Sequence, residues 1–392
     1  MAAERLAGIP TTIFAEMSAL AVRTGALNLG QGFPDEEGPE GVREAAVAAL
    51  RGGRNQYAPG IGVPALRRAV AEHQRRHYGL EWDPDSEVVI TTGCTEAIAA
   101  ALLGLVDPGD EVVVLEPYYD SYLAMVQMAG GVRRPVTLRS PDFRPDLDEL
   151  RAAVTPRTRF LLINSPHNPT GTVLDDVELA AIADLAIEHD LIAITDEVYE
   201  HLTFDGVPHR PLATLPGMAE RTLTLSSIGK SYSLTGWKVG WATGPAPLVG
   251  AVMAAKQWLT YTSGAPLQPA AAVALTDFPD WPAALAVDLQ QRRDLLVAGL
   301  RAAGLPTTTP QGTYFATSDI SSLGWPDSRA FCEALPGLAG VVAIPEQVFF
   351  DDPAGPGRHL VRWAFCKRPE VISEATARLA AADLTRPATG LS

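Results

Sequence analysis

The stretch Thr222-Leu-Thr-Leu-Ser-Ser-Ile-Gly-Lys-Ser-Tyr-Ser-Leu-Thr-Gly-Trp-Lys-Val-Gly-Trp241 decides how the rest of the chain is read. Thr222 to Leu225 is apolar and β-prone, and it runs into a turn of small residues that presents one lysine, Lys230. A strand that ends in a polar turn of this kind suits an α/β sheet, where ligands bind beyond the carboxyl ends of the strands.

The Lys230 amine has surroundings suited to condensing with an aldehyde. Lys238 follows closely, and Ser226, Ser227 and Ser231 lie nearby, so the same loop could hold a phosphate. An amine beside a phosphate seat is what pyridoxal 5′-phosphate requires, because proteins bind that cofactor through a lysine Schiff base. The plainer alternative is a solvated lysine in a surface loop. Nucleotide motifs fail. Gly229-Lys230-Ser231 could close a phosphate-binding P-loop, but Thr224 stands where its first glycine is needed. Gly30-Gln-Gly32 and Gly60-Ile-Gly62 lack the third glycine of a dinucleotide fingerprint, since Asp35 and Ala65 occupy that place.

Outward from this stretch, strand-length apolar runs alternate with Ala/Leu-rich helical runs. Glu87 to Thr91, Glu111 to Leu115, Arg159 to Asn164, Leu191 to Thr195, Thr222 to Leu225 and Val239 to Ala242 read as strands. Thr95 to Leu105, Asp120 to Met128 and Asp176 to His189 read as the helices between them, the last with Asp175 and Asp176 at its start to meet free amides. Continuous Val/Ile/Leu strands separated by helices predict an α/β fold with a mostly parallel sheet covered on both faces. Beyond about residue 275 come a long helix, Trp281 to Ala303, shorter strands and a final helix, Val371 to Leu384, consistent with a second α+β domain. The tail from Arg386 to Ser392 is expected to be disordered.

Composition narrows the function. A chain of 392 residues can bury a large core, and its formal net charge of −15 is offset by no basic cluster, which argues against nucleic-acid or anionic-membrane binding. The seven histidines and three cysteines (Cys94, Cys332, Cys366) read as dispersed, so no metal site is expected. Sparse cysteines suit a reducing cytoplasm, and no signal peptide or membrane span is evident.

Polar residues gather where the strands end. Ser165-Pro-His-Asn-Pro-Thr-Gly171 follows one strand, Asp196-Glu-Val-Tyr199 the next, and the Lys230 loop a third. A pyridoxal site needs an acid to keep the ring nitrogen protonated, a role Asp196 could fill, and donors to the phenolate oxygen, which Asn168 and Tyr199 could supply. Thr92-Gly-Cys-Thr-Glu96 offers backbone amides at a helix start, and Tyr118 or Tyr119 could stack on the ring. Each residue also has a structural reading: Asp196 as a helix cap, Asn168-Pro169 as a turn, Tyr199 as core, Gly93 and Thr95 as a junction. Four features at successive strand ends, each meeting a different need of one cofactor, favour the functional reading. Arg362 could pair with a substrate carboxylate through two parallel hydrogen bonds, or form an ordinary ion pair.

Asn28 to Pro34, Asn55-Gln-Tyr57, Asn164 to Gly171, Ile194 to Tyr199, Ser227 to Lys230, Gly236 to Gly240, Pro310 to Phe315 and Arg362 together resemble the class I and II pyridoxal-phosphate aminotransferases of fold type I, over almost the full length. Within that family the chain is most similar to the kynurenine, glutamine and methionine enzymes and, at Thr11 to Glu36 and Phe365 to Arg368, to actinobacterial N-succinyldiaminopimelate aminotransferases. The resemblance implies a seven-stranded, mostly parallel sheet sandwiched by helices, in a large cofactor-binding domain over 41–275. It implies an arm at 1–40 joining a small domain over 276–392. It assigns cofactor attachment and proton transfer to Lys230, the ring nitrogen to Asp196, and the phenolate oxygen to Asn168 and Tyr199. Ring stacking falls to Tyr119, and the phosphate to Gly93, Cys94, Ser227 and Lys238. Arg362, Asn168 and Gly32 would seat the substrate carboxylate, near Phe14, and Tyr57 would reach in from the second subunit of a homodimer. Kynurenine-type relatives often carry tryptophan where Phe14 stands and a partner histidine near Gly264, so a kynurenine preference is not implied.

The function expected is transfer of an amino group between an L-amino acid and a 2-oxo acid, with glutamate/2-oxoglutarate as the common couple. N-succinyl-diaminopimelate, glutamine, methionine and aromatic amino acids are the candidate substrates. A rival is β-elimination with the same cofactor. A sensor domain that binds the cofactor is a second rival, disfavoured because no basic helix-turn-helix stretch accompanies it.

Overall fold

The computed structural model describes residues 3–9 and 11–385, so the tail expected to be disordered lies outside the described residues. A seven-stranded sheet forms its centre, in the order Val88–Thr91, Gly240–Thr243, Thr222–Ser227, Ile192–Asp196, Thr158–Asn164, Glu111–Glu116, Val132–Thr137. Only Gly240–Thr243 runs against its neighbours; the other pairings are parallel. Alternation along the strands explains why they read as unbroken apolar runs. Val112, Val114, Phe160 and Leu162 join one apolar cluster, while Val113, Leu115, Leu161 and Ile163 join another on the opposite face. The middles of these two strands are therefore apolar on both faces.

Val132–Thr137 was not among the strands read from the sequence, because Arg133, Arg134 and Pro135 break the apolar pattern. It is an edge strand, mostly exposed or half-exposed, pairing on one side only with Glu111–Glu116. A proline and charged side chains are compatible with such an edge and discourage further pairing.

The helices begin close to where the capping residues predict. Asp175 accepts from the amides of Val177 and Glu178, both at 2.9 Å, and Glu178 returns a bond from the Asp175 amide at 2.8 Å. This reciprocal box fixes the start of the helix Asp176–Glu188. Among the described residues no helix is long and apolar enough to cross a membrane.

A three-stranded antiparallel sheet, Ile344–Pro345, Leu360–Ala364 and Phe315–Asp319, carries Arg362 opposite Thr317. The helices Trp281–Ala302 and Pro369–Ala381 pack together so closely that a Cβ on Gly299 would lie 2.5 Å from Thr376 Cβ. The N-terminal segment returns to this region, where Leu27–Asn28 pairs in parallel with Val341–Val342.

Candidate active site

Sheet register brings the polar strand ends together: Asn164 stands opposite Asp196, and Asp196 opposite Leu225, two residues before Ser227. Beyond this edge lies a cavity of about 300 Å³ lined by Lys230, Asp196, Tyr199, Asn168, Arg362, Tyr119, Gly93, Cys94, Ser227, Lys238, Gly32 and Phe14. Of the site residues that the family resemblance implies, only Tyr57 is absent from this lining; Tyr118, Ser226 and Ser231, offered by the sequence as alternatives, do not border it either. The Tyr57 side chain is 82% exposed and packs edge-on against Tyr261, with ring centres 5.2 Å apart.

Lys230 lies on the short helix Ile228–Ser231 that follows the strand, with Ser227 as its cap, accepting from the Gly229 amide at 3.2 Å. Its Nζ is 5.5 Å from the Tyr314 ring centre and 5.8 Å from that of Tyr199. Burial lowers the Lys230 ammonium to about 8. A free amine is thus far more accessible near neutral pH than on a solvated lysine, which is the requirement for attack on a carbonyl.

Asp196 is held more elaborately than the sequence suggested. Tyr122 donates to Oδ2 at 2.7 Å, the Val198 amide to Oδ1 at 3.3 Å, and the Cys94 thiol to Oδ1 at 3.6 Å. Burial raises the carboxyl, while the Tyr122 bond works in the opposite direction. Tyr122 was missed by the sequence reading. Its signal was helical spacing, because it follows Tyr119 by three residues at the start of Asp120–Ala129 and shares its face. Asn164 was also read only as a strand end. Its side-chain amide donates to the Asp196 carbonyl at 2.7 Å, and its Oδ1 accepts from the Asn168 amide at 2.7 Å, which ties two of the three loops together.

Between Tyr118 and Tyr119, the fold separates the roles. Tyr118 is buried away from the cavity, with its hydroxyl on Asp351, whereas Tyr119 faces the cavity. Ser226 and Ser227 separate in the same way, since neighbours on a strand point to opposite faces. Ser227 borders the cavity, and Ser226 donates to Glu200 at 2.6 Å instead. The Cys94 thiol is occupied with Asp196, so what this residue offers an anion is its backbone amide near the start of the helix Gly93–Leu105.

That helix start has the chemistry of an anion seat. Gly93 has φ +73°, and a Cβ there would lie 3.2 Å from Lys238 Nζ, which itself donates to Thr95 Oγ1 at 3.2 Å. Gly240 lets the strand come close, because a Cβ on it would stand 2.7 Å from the Gly93 carbonyl carbon and 2.8 Å from the Cys94 nitrogen. Those neighbours are backbone and cannot swing aside. Gly240→Ala is therefore expected to lower unfolding stability by about 1–3 kcal/mol and to weaken anion binding at the same place, as read by denaturant titration and phosphate affinity.

Across the cavity, Arg362 is 1% exposed. Its guanidinium lies 3.9 Å from the Phe315 ring centre and 5.0 Å from that of Phe14. Nη1 donates to Asn168 Oδ1 at 2.9 Å and Nη2 to the Gly30 carbonyl at 3.2 Å, while Nε is buried without a partner. Neither acceptor is a carboxylate, so the buried guanidinium retains a donor for an incoming anion. Gly32 is close enough to the aromatic wall that a Cβ would lie 2.6 Å from Phe315 Cζ.

A lysine with a lowered pKa facing a buried carboxylate, at the carboxyl edge of a parallel sheet, defines an α/β enzyme of amine chemistry that takes acidic ligands. Comparison with known proteins makes this specific: the chain belongs to the aminotransferase class I and II family, whose model matches residues 24–358. It is 55% identical, over 99% of this chain and all of the relative, to the probable N-succinyldiaminopimelate aminotransferase of Mycobacterium tuberculosis. The solved structure of the Mycobacterium tuberculosis N-succinyldiaminopimelate aminotransferase superposes with a TM-score of 0.94, covering 97% of this chain and 100% of that one. A methionine aminotransferase from Escherichia coli is 40% identical over 96% of this chain and 97% of the relative. Aspartate aminotransferase from Thermus thermophilus, 36% identical over 97% of this chain and 99% of that one, superposes with a TM-score of 0.89. The chain is a fold type I transaminase, moving an amino group between an amino acid and a 2-oxo acid. These relatives do not favour the β-elimination alternative.

Proposed function

We propose that this transaminase works with pyridoxal 5′-phosphate and that its amino-acid substrate is N-succinyl-diaminopimelate, with 2-oxoglutarate collecting the nitrogen. The observation that most supports the cofactor is the convergence of Lys230, Asp196, Asn168, Tyr199 and Arg362, from separate segments of the chain, on one cavity. The fit is good in chemical kind. A buried carboxylate suits a ring nitrogen, a helix start with Lys238 suits a phosphate, and Tyr119 offers a flat face.

The cofactor, when bound, supplies an electron sink that makes the Cα proton of an amino acid labile. Lys230 would hold the cofactor through its aldehyde carbon, and its amine would accept and return the proton of the substrate Cα. Burial helps, because an amine near pKa 8 can both accept and release that proton. Asp196 would keep the ring nitrogen protonated, and Tyr199 and Asn168 would hold the phenolate oxygen. Arg362 would fix the substrate carboxylate and so orient the Cα–H bond. Phe14 and Phe315, stacked about that guanidinium, would keep water from it.

The 55% identity to the mycobacterial relative supports the substrate, and so does a second cavity of about 320 Å³ that shares Thr95 and Tyr119 with the first. Arg329 lines it, half-exposed, and bonds Glu16 at 2.6 Å and Glu333 at 3.0 Å. A long substrate entering past Tyr119 would bring a remote carboxylate towards Arg329, where it would replace Glu16 or Glu333 as the partner of the guanidinium. The test is a panel of amino donors against 2-oxoglutarate that includes succinyl-diaminopimelate, glutamine, methionine, kynurenine and phenylalanine. Succinyl-diaminopimelate is expected to give the highest kcat/KM. Arg329→Ala is expected to raise KM for it about tenfold or more while leaving methionine turnover unchanged. Equal KM values for both donors in the variant would remove Arg329 from substrate recognition, and a poor rate with succinyl-diaminopimelate in the wild type would reject the substrate itself.

We further propose a cytoplasmic homodimer in which Tyr57 reaches the partner's site. Its exposure, together with Trp258 at 84% and Tyr261 at 59%, supports a surface that another subunit covers.

A further inference from the structure

The histidines are dispersed along the chain, yet folding brings three of them together away from the active-site cavity. His73 and His77 lie one turn apart on the helix Pro64–Tyr78, a spacing that puts both on one face. His201 comes from the segment that follows Asp196 and Tyr199. The ring centres are nearly equidistant: 4.7 Å for His73–His77, 4.9 Å for His73–His201 and 4.8 Å for His77–His201. Their ligand atoms all lie within 4.8 Å of one another. We propose that His73, His77 and His201 form a binding site for a divalent transition-metal ion of the zinc or nickel type.

Geometry carries the argument. Three imidazoles on one tetrahedral ion at about 2.0–2.1 Å have ring centres roughly 5 Å apart, close to the spacing found here. His73 Nε2 and His201 Nε2 are 2.7 Å apart, sharing a hydrogen bond, and need to part by only about half an ångström to admit the ion between them. The second layer is also suitable. Gln74 is fully buried with its Oε1 unpartnered, and its amide nitrogen stands 3.5 Å from His73 Nδ1. Turning that amide over lets Oε1 accept from His73 Nδ1–H. This fixes the tautomer in which Nε2 is the free ligand.

Charge favours a cation. Glu200 lies beside the cluster, 4% exposed, accepting from Tyr78 at 2.7 Å and Ser226 at 2.6 Å, with Oε2 4.0 Å from His201 Nε2. Among the described residues no lysine or arginine pairs with it; the nearby Arg76 approaches Glu72 instead, at 3.7 Å. Imidazole sets of this kind suit zinc, nickel and copper rather than calcium or magnesium. A bound ion would clip the helix Pro64–Tyr78 to the segment that carries Asp196 and Tyr199. Its role is therefore structural support behind the active site.

The test uses tag-free holoenzyme stripped with a chelator and titrated with ZnCl2 by calorimetry, with metal content measured after dialysis. Wild type is expected to bind about one zinc per chain and to melt about 2–4 °C higher when saturated. His77→Gln, at an exposed position that leaves the fold intact, is expected to lose zinc affinity by at least about tenfold together with the melting shift. His201→Gln is expected to do the same, and if that variant fails to fold, His77→Gln alone decides. Wild type without stoichiometric zinc, or His77→Gln binding as tightly as wild type, overturns the site.

Discussion

Lys230→Ala is expected to lower turnover by at least about 10⁴-fold, the upper range for loss of a positioned proton-transfer group, and to remove the visible absorption of the purified holoenzyme. On the proposed function, two roles of one nitrogen disappear together: covalent retention of the cofactor and proton transfer at Cα. Lys230→Arg separates them from packing, because it restores bulk and charge without a nucleophilic amine. It is expected to be as inactive as alanine while melting close to wild type. A small primary amine such as methylamine, added to Lys230→Ala, is expected to restore a measurable fraction of the rate, since the remaining cavity keeps Asp196, Tyr199 and Arg362 in position. Full activity in either variant would end the assignment of Lys230.

Why Lys230 could be found from sequence while its support could not is a matter of range. The strand Thr222–Ser227 and the turn after it are local, written in consecutive residues, and so are the ends of Thr158–Asn164 and Ile192–Asp196. A parallel sheet then obliges such ends to meet, so the convergence of Asn168, Asp196 and Lys230 follows from topology. The contacts that tune them are not local. Tyr122 reaches Asp196 across 74 positions, and Arg362 reaches Asn168 across 194, with nothing in either neighbourhood to announce it. Val132–Thr137 escaped because an edge strand need not be apolar, and His201 escaped as a partner for His73 because 128 positions separate them. Cys94 illustrates the converse: its position was legible, but which of its atoms serves an anion depended on Asp196 drawing the thiol aside.

Asp196→Asn is expected to reduce kcat by about 10²–10³-fold with little change in melting temperature, because it removes charge and keeps shape. The amide oxygen can take the place of Oδ1, still accepting from the Val198 amide. The amide nitrogen then faces the Tyr122 hydroxyl, which can rotate to accept instead of donate. The fold is thus preserved, while the negative charge that would keep a ring nitrogen protonated is lost. Tyr122→Phe probes the same carboxylate from the other side. The Tyr122 bond stabilises the ionised form and opposes the upward push of burial, so its removal raises the Asp196 pKa further. The role proposed for Asp196 requires the carboxylate, so the acid limb of the kcat profile is expected to move to higher pH in Tyr122→Phe, with the plateau rate lowered by about tenfold or less. A purely structural Tyr122 would lower the melting temperature and leave that limb in place. An acid limb shifted to lower pH would mean that the hydroxyl had been favouring the protonated acid, and the electrostatic role given to Asp196 would then be wrong.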